Sequence, residues 1–185
     1  MKWPLHCIAL LILLDWLCEP AIAALLQLDR SKSKIEVAVN STVSSFTGKL
    51  ENYQAAIECD PAQPLPTKAE VTFDFKDLQT GIEGRDKHML KWLQYSKNPK
   101  ASFHLTDWKQ NGAESLAQGE LTIHGVRRTI QMPVIVKRQN DAYDIEGTVG
   151  LDYRDFGLPR IRNAVVFSVD PHLKIKFHLI GKTGD

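Results

Sequence analysis

Cysteine is nearly missing from this chain. There are three in 185 residues, and two of them, Cys7 and Cys18, fall in the first eighteen positions. Cys59 is left alone in the remainder, so no internal disulfide can form there and the fold must be held by its core and its backbone ladders. Excess charge is missing too. The chain has 23 Lys and Arg against 22 Asp and Glu, a net +1, with no basic stripe, which excludes the usual electrostatic footprint of a nucleic-acid binder. Long apolar runs are absent. The longest, Leu5 to Leu14, is about half of the roughly twenty residues that a bilayer requires. Enzyme signatures are absent as well: there is no G-x-S-x-G elbow, no cysteine–histidine pair in a motif context and no phosphate loop, so neither catalysis nor a cofactor is expected. Beyond the first residues the histidines are His88, His104, His124, His172 and His178, none at H-x-x-x-H spacing. His172 and His178 would share a strand face about 20 Å apart, so no metal site is expected.

The first 23 residues have the layout of a secretory leader. Met1-Lys2-Trp3 precedes the apolar run, Asp15 and Glu19 follow it, and Ala21-Ile22-Ala23 supplies small residues for cleavage after Ala23. Leu17, where a small residue is needed, argues against lipid attachment at Cys18. The expected product is one domain, residues 24–185, exported to the periplasm or beyond. Losing Lys2, Asp15 and Glu19 would take its charge from +1 to about +2.

What the rest of the chain has is alternation. Ala69, Val71, Phe73 and Phe75 alternate with Glu70, Thr72, Asp74 and Lys76; Leu173, Ile175, Phe177 and Leu179 alternate with Lys174, Lys176 and His178. A period of two places successive side chains on opposite faces, giving strands with one apolar and one wet face. Ile35, Val37 and Val39, then Phe103 and Leu105, then Tyr143, Ile145 and Val149 repeat the pattern. Strands are predicted over about 35–45, 48–58, 68–76, 101–108, 116–124, 128–138, 142–151 and 172–181, with Ala24 to Lys34 as a lead-in. Turns are predicted near Gln110–Glu114 and Gln139–Asp141, an irregular loop over 153–163, and apolar residues from Val165 leading into the last strand. Alternation breaks only over Gly81 to Leu93, where Met89, Leu90, Trp92 and Leu93 make a helical apolar face and Asn98-Pro99 ends it. About eight strands and one or two short helices must close or stack, because open strand edges recruit other chains. The expected fold is all-β, an eight-stranded antiparallel barrel.

Three segments stand out in order: Thr80-Gly81-Ile82-Glu83-Gly84-Arg85-Asp86-Lys87-His88-Met89-Leu90, then Gly119-Glu120-Leu121-Thr122-Ile123-His124-Gly125-Val126-Arg127-Arg128-Thr129, then Asp152-Tyr153-Arg154-Asp155-Phe156-Gly157-Leu158. Together, behind a leader, they resemble the YceI-like family of secreted bacterial proteins, from Leu28-Asp29-Arg30 to the last strand. Arg30 stands where that family usually has a histidine. The resemblance implies a lipocalin-like barrel holding a long isoprenoid, polyprenyl or quinone-like, or a related lipid.

An eight-stranded bore is wide enough to be filled by side chains or to hold one slender ligand. One strand parity and the helix face offer Phe46, Val71, Phe73, Phe75, Leu90, Phe103, Leu121, Ile123, Met132, Val134 and Phe156 as tunnel lining. Arg85, Asp86 and His88 at the helix start, with Arg154, are the candidates for meeting a polar head group. For Asp86 the competing role is a loop network that pins the helix. Cys59 reads as a small buried hydrophobe and His124 as part of a turn. Two rival readings stay open: an enzyme acting on a lipidic or quinone substrate through Arg85, Asp86 and His88, and a filled barrel docking on a membrane-protein partner. A homodimer also stays open.

Overall fold

The computed structural model describes residues 23–111, 114–163 and 167–184. Leader residues 1–22 and part of the Gln110–Glu114 turn lie outside these residues, as does Val165. The strands are β1 (Ala24–Leu28), β2 (Lys34–Asn40), β3 (Ser45–Leu50), β4 (Gln54–Cys59), β5 (Lys68–Asp74), β6 (Leu78–Gln79), β7 (Lys100–Asn111), β8 (Glu114–Ile123), β9 (Val126–Gln139), β10 (Ala142–Asp152), β11 (Arg162–Asn163), β12 (Phe167–Ser168) and β13 (His172–Thr183). One α-helix, α1 (Glu83–Trp92), interrupts them among the described residues.

Eight of these strands form a closed antiparallel ring in the order β1-β4-β5-β7-β8-β9-β10-β13, and β1 pairs back onto β13 to seal it. The ring corrects the reading of Ala24 to Lys34 as a lead-in: β1 is the closing strand, with Leu26 opposite Thr183 and Ala24 opposite Cys59. Leu25-Leu26-Gln27-Leu28 does not alternate, so its strand character comes from partners distant in sequence rather than from its own pattern. The expected strands over 35–45 and 48–58 divide at different points, into β2, β3 and β4. β2 follows β1 along the same edge of β13, and β3 and β6 extend the sheet beyond it.

Turn chemistry sets the hairpins. His124 and Gly125 both take left-handed conformations, φ 52° and 74°, to join β8 to β9 in two residues, and Asn140 (φ 56°) does so between β9 and β10. A side chain fares poorly at φ > 0 unless it is Asn, Asp, His or Gly, and these residues are present at those positions.

The inward faces make one continuous core of Leu26, Ile57, Leu105, Leu121, Met132, Val134, Ile145, Val149 and Leu179, with fully buried Cys59 and Tyr143 at one end. Burial raises the Cys59 thiol pKa, so the sulfur behaves as a small hydrophobe. A second cluster of Phe75, Leu93, Ala101, Tyr153, Leu158 and Val169 plugs the opposite end.

Candidate functional site

Inside the ring lies a cavity of about 150 Å³ whose lining is apolar throughout. β5 supplies Ala69, Val71 and Phe73; β7 and β8 supply Phe103, Leu105, Ala117 and Leu121; β9 supplies Ile130, Met132 and Val134. β10 and β13 add Ile145, Val149, Ile175, Phe177 and Leu179, and Ile35, Leu50, Ile57, Pro66 and Trp108 complete it. Two large rings lie across glycines. A Cβ on Gly119 would stand 2.4 Å from the Phe103 ring, and one on Gly147 would stand 2.4 Å from the Phe177 ring. Each glycine thus lets an aromatic ring lie against the backbone instead of filling the bore.

Elements of the chain lie over both ends of the barrel. At one end, α1 and the chain after β10 close over the second cluster. Trp92 Nε1 donates to the Pro159 carbonyl at 2.8 Å, and its ring meets Tyr153 edge-on with centroids 5.0 Å apart. The Tyr153 hydroxyl donates to the Val169 carbonyl and accepts from the Ile161 N–H at 3.3 Å, tying this segment down. At the other end the Asp60–Thr67 loop lies across the bore. Trp108 Nε1 donates to the Pro66 carbonyl at 2.8 Å, and Arg138 donates to the Pro61 carbonyl at 2.9 Å while covering the Tyr143 ring.

Of the eleven residues expected to line a tunnel, the structure brings six together on the cavity wall: Val71, Phe73, Phe103, Leu121, Met132 and Val134. The other five lie elsewhere. The alternation through Phe75 does not continue in space, because β5 ends at Asp74. The Asp74 carboxylate accepts the Lys76 N–H at 3.0 Å and turns the chain into a 3-10 turn, Phe75–Asp77, carrying Phe75 into the end cluster. Leu90 packs on that cluster from α1, and Ile123 bridges both clusters. Phe156 sits in a 3-10 turn, Tyr153–Phe156, buried in the main core but outside the lining. Phe46 shares the inward face of β3 with Leu50 but lies under the Arg85 guanidinium, 3.9 Å from its ring centroid.

Sequence parity also missed a wall residue. Phe103 and Leu105 point inward, so strict alternation turns Asp107 inward and Trp108 outward. A β-bulge between Leu105 and Asp107 shifts the register by one, and Trp108 joins the lining instead. An indole in an otherwise polar stretch, Thr106-Asp107-Trp108-Lys109-Gln110, was the available signal.

The head-group candidates are not gathered at the cavity. Arg85 stacks on Phe46. The Asp86 carboxylate accepts from the Thr80 N–H at 3.0 Å and the Thr80 hydroxyl at 2.6 Å, which pins the start of α1 to the preceding loop. His88 is exposed. Arg154 is committed to Asp152: its Nε lies 3.0 Å from both carboxylate oxygens, and its own N–H also donates there. This guanidinium holds the Asp152 pKa down at about 2. Because the folded pKa is depressed, the pair's contribution to stability is present above about pH 4 and is lost as pH falls toward 2. Thermal unfolding of wild type and Arg154→Ala is therefore expected to differ at pH 5 and to converge below pH 2; a constant difference would refute the pairing.

Among the described residues no three His, Cys, Asp or Glu side chains gather as a metal-ligand set. His172 and His178 bond instead to Asp170 and Asp144, each at 2.9 Å. No described helix is long and apolar enough to cross a membrane.

The barrel is closed and its interior wall apolar, with α1 and a pinned return segment over one end. A UPF0312 protein of Pseudomonas aeruginosa is 29% identical over 119 residues, covering 60% of this chain and 62% of that protein. The match thus spans about three-fifths of the length of these curated relatives. Burkholderia cenocepacia BcnA superposes with TM-score 0.72 at 21% identity, covering 84% of this chain and all of that one. A polyisoprenoid binding domain from Saccharophagus degradans superposes with TM-score 0.64 at 17% identity, covering 88% of this chain and all of that domain. At these identities the structures speak for the fold alone. The YceI-like domain model matches residues 26–180, from the strand that closes the barrel almost to the end of the strand it closes upon, and the chain belongs to the YceI-like family.

Proposed function

We propose that this protein is a binding barrel that takes a slender apolar chain, an isoprenoid or related lipid, into its interior without chemical change. The observation that carries this is the lining. No wall residue bears a titratable group, so nothing there can transfer a proton, whereas every wall residue favours a hydrocarbon over water. Each methylene moved from water to this wall would contribute about 0.8 kcal/mol. The Saccharophagus degradans neighbour, a polyisoprenoid binding domain, supports the same reading by its shared fold. Export through the leader would place the barrel in the periplasm, where free lipid must be carried through water.

The volume bears on ligand size. An apolar cavity of about 150 Å³ admits a molecule the size of benzene. A longer chain requires Phe103 and Phe177 to stay on their glycines and Met132 to repack. Met is suited to this by its three flexible torsions. The same modest volume favours a second reading, a filled barrel that acts by docking on a membrane partner. Mass spectrometry of an organic extract from the purified protein separates the two. A stoichiometric lipid is expected. Protein that yields none, and takes up no prenol of any length offered, would leave only the docking module.

A further inference from the structure

The wall has short ladders at β1, which meets β4 through two pairs and β13 through three. A longer one between β9 and β10 breaks off part-way beside an outer groove, leaving a seam. β10 pairs with β13 along its whole length, Ala142–Asp152 against Lys182–His172. Its ladder to β9 runs only from Ala142 to Gly147 and stops at the pair Val134–Gly147. The next pair would set Thr148 against Pro133, which has no N–H to donate. Beyond it β9 pairs only with β8, and the far part of the split is bridged by the 3-10 turn Tyr153–Phe156, with Arg128 Nε donating to the Asp155 carbonyl at 2.9 Å.

Outside this seam lies a groove of about 600 Å³. Pro133, Gly147 and Thr148 line it along the seam, and Val134 and Phe177 line both this groove and the interior cavity. Val134 and Phe177 are thus walls shared by the outer and the inner space. One of them, Phe177, lies against a glycine and is free of any Cβ at Gly147 that would hold its ring in place. Ile135, 51% exposed, forms an apolar lip, and the rest of the rim carries Lys34, Glu36, Glu146, Lys176 and His178. Glu146 also pairs with Lys137 at 3.3 Å, and His178 bonds Asp144. Two lysines and two glutamates on one rim can hydrogen-bond a polar head but offer no net charge to it.

We propose that the ligand enters sideways through the β9–β10 seam, with Phe177 as the gate, and leaves an uncharged polar head in the outer groove. This rests on the lipid-binding reading above. The probe is retinol, an isoprenoid alcohol whose uptake quenches the emission of Trp108 on the cavity wall. The protein carries Cys7→Ser and Cys18→Ser, keeps the buried Cys59, and has Pro133→Cys and Thr148→Cys joined by a short reducible bis-thiol reagent. Bridging is expected to slow retinol uptake at least about tenfold, to leave the final amount bound unchanged, and to be reversed by reduction. Uptake at the unbridged rate would overturn the seam as the entrance. Failure of the unbridged protein to take up retinol or any shorter prenol would instead overturn the lipid-binding reading, and the seam with it. Retinoic acid, the same chain with an anionic head, is expected to bind roughly fivefold more weakly. Tighter binding of the acid would overturn the uncharged head.

Discussion

Gly119→Ala is expected to be among the most damaging single-methyl additions this barrel can suffer. The new Cβ would meet the Phe103 ring at 2.4 Å and, on its other side, the His104 carbonyl oxygen at 2.6 Å. A ring can turn away, but a backbone oxygen inside a ladder cannot without breaking pairs. Overpacking a well-filled core costs about 1–3 kcal/mol, and the fixed oxygen puts this site toward the upper end. For a domain of this size that is a fall in Tm of roughly 5–10 °C. Denaturation of Gly119→Ala and of the double variant with Phe103→Leu checks it. The double variant should recover part of the loss, because the two sites touch and their effects do not add. Unchanged stability of Gly119→Ala would show that Phe103 does not lie on that glycine. Gly147→Ala should act in the same direction through Phe177 but less severely, since its nearest backbone oxygen, that of Pro133, is 2.9 Å away. Both variants also drive a phenyl ring into the bore and should reduce the amount of prenol bound.

The second large effect is on binding. Phe103→Arg brings a guanidinium to a cavity wall that offers it no polar partner. A charge there must either stay solvated at the expense of the cavity or displace whatever apolar chain occupies it. Folded Phe103→Arg protein is expected to be recovered without lipid. Phe46→Arg, on a residue outside the lining, should retain it. Should Phe103→Arg fail to fold, Phe103→Gln keeps the test alive. Burying an unpartnered amide costs about 1–3 kcal/mol, which would weaken prenol binding roughly tenfold to a hundredfold. Affinity equal to wild type in Phe103→Gln would mean that the ligand sits elsewhere.

These two tests fall on residues with different histories in the sequence. Phe103 was legible, because it alternates with Ser102 and His104 and so had to face inward. The roles of Gly119 and Gly147 were not, since nothing local says that a ring from a neighbouring strand will lie over a glycine. Trp108 was hidden for another reason: one extra residue at Thr106 inverts every later inward position of β7, and a bulge leaves no trace in the pattern except the inversion itself. Phe75 shows the converse error, an unbroken alternation that the chain leaves when the Asp74 side chain caps a turn. The head-group candidates were grouped because three of them are neighbours in sequence. In space Arg85, Asp86 and Arg154 are each engaged by a partner of their own, and His88 faces solvent.

What the linear order of residues determined here is whatever depends on near neighbours: the period-two faces, the helix between Gly81 and Leu93, the two-residue turn at His124-Gly125, and the absence of any disulfide partner for Cys59. The tertiary structure alone decided that β1 closes the ring, that a helix and loops lie over its ends, that a void of modest size remains at the centre, and that β9 is unpaired with β10 beyond Pro133. The physical reason is that a void is what remains after strands far apart in sequence have packed, and a seam is a pair of strands that fail to meet. Both are differences between distant segments, to which no local pattern is sensitive.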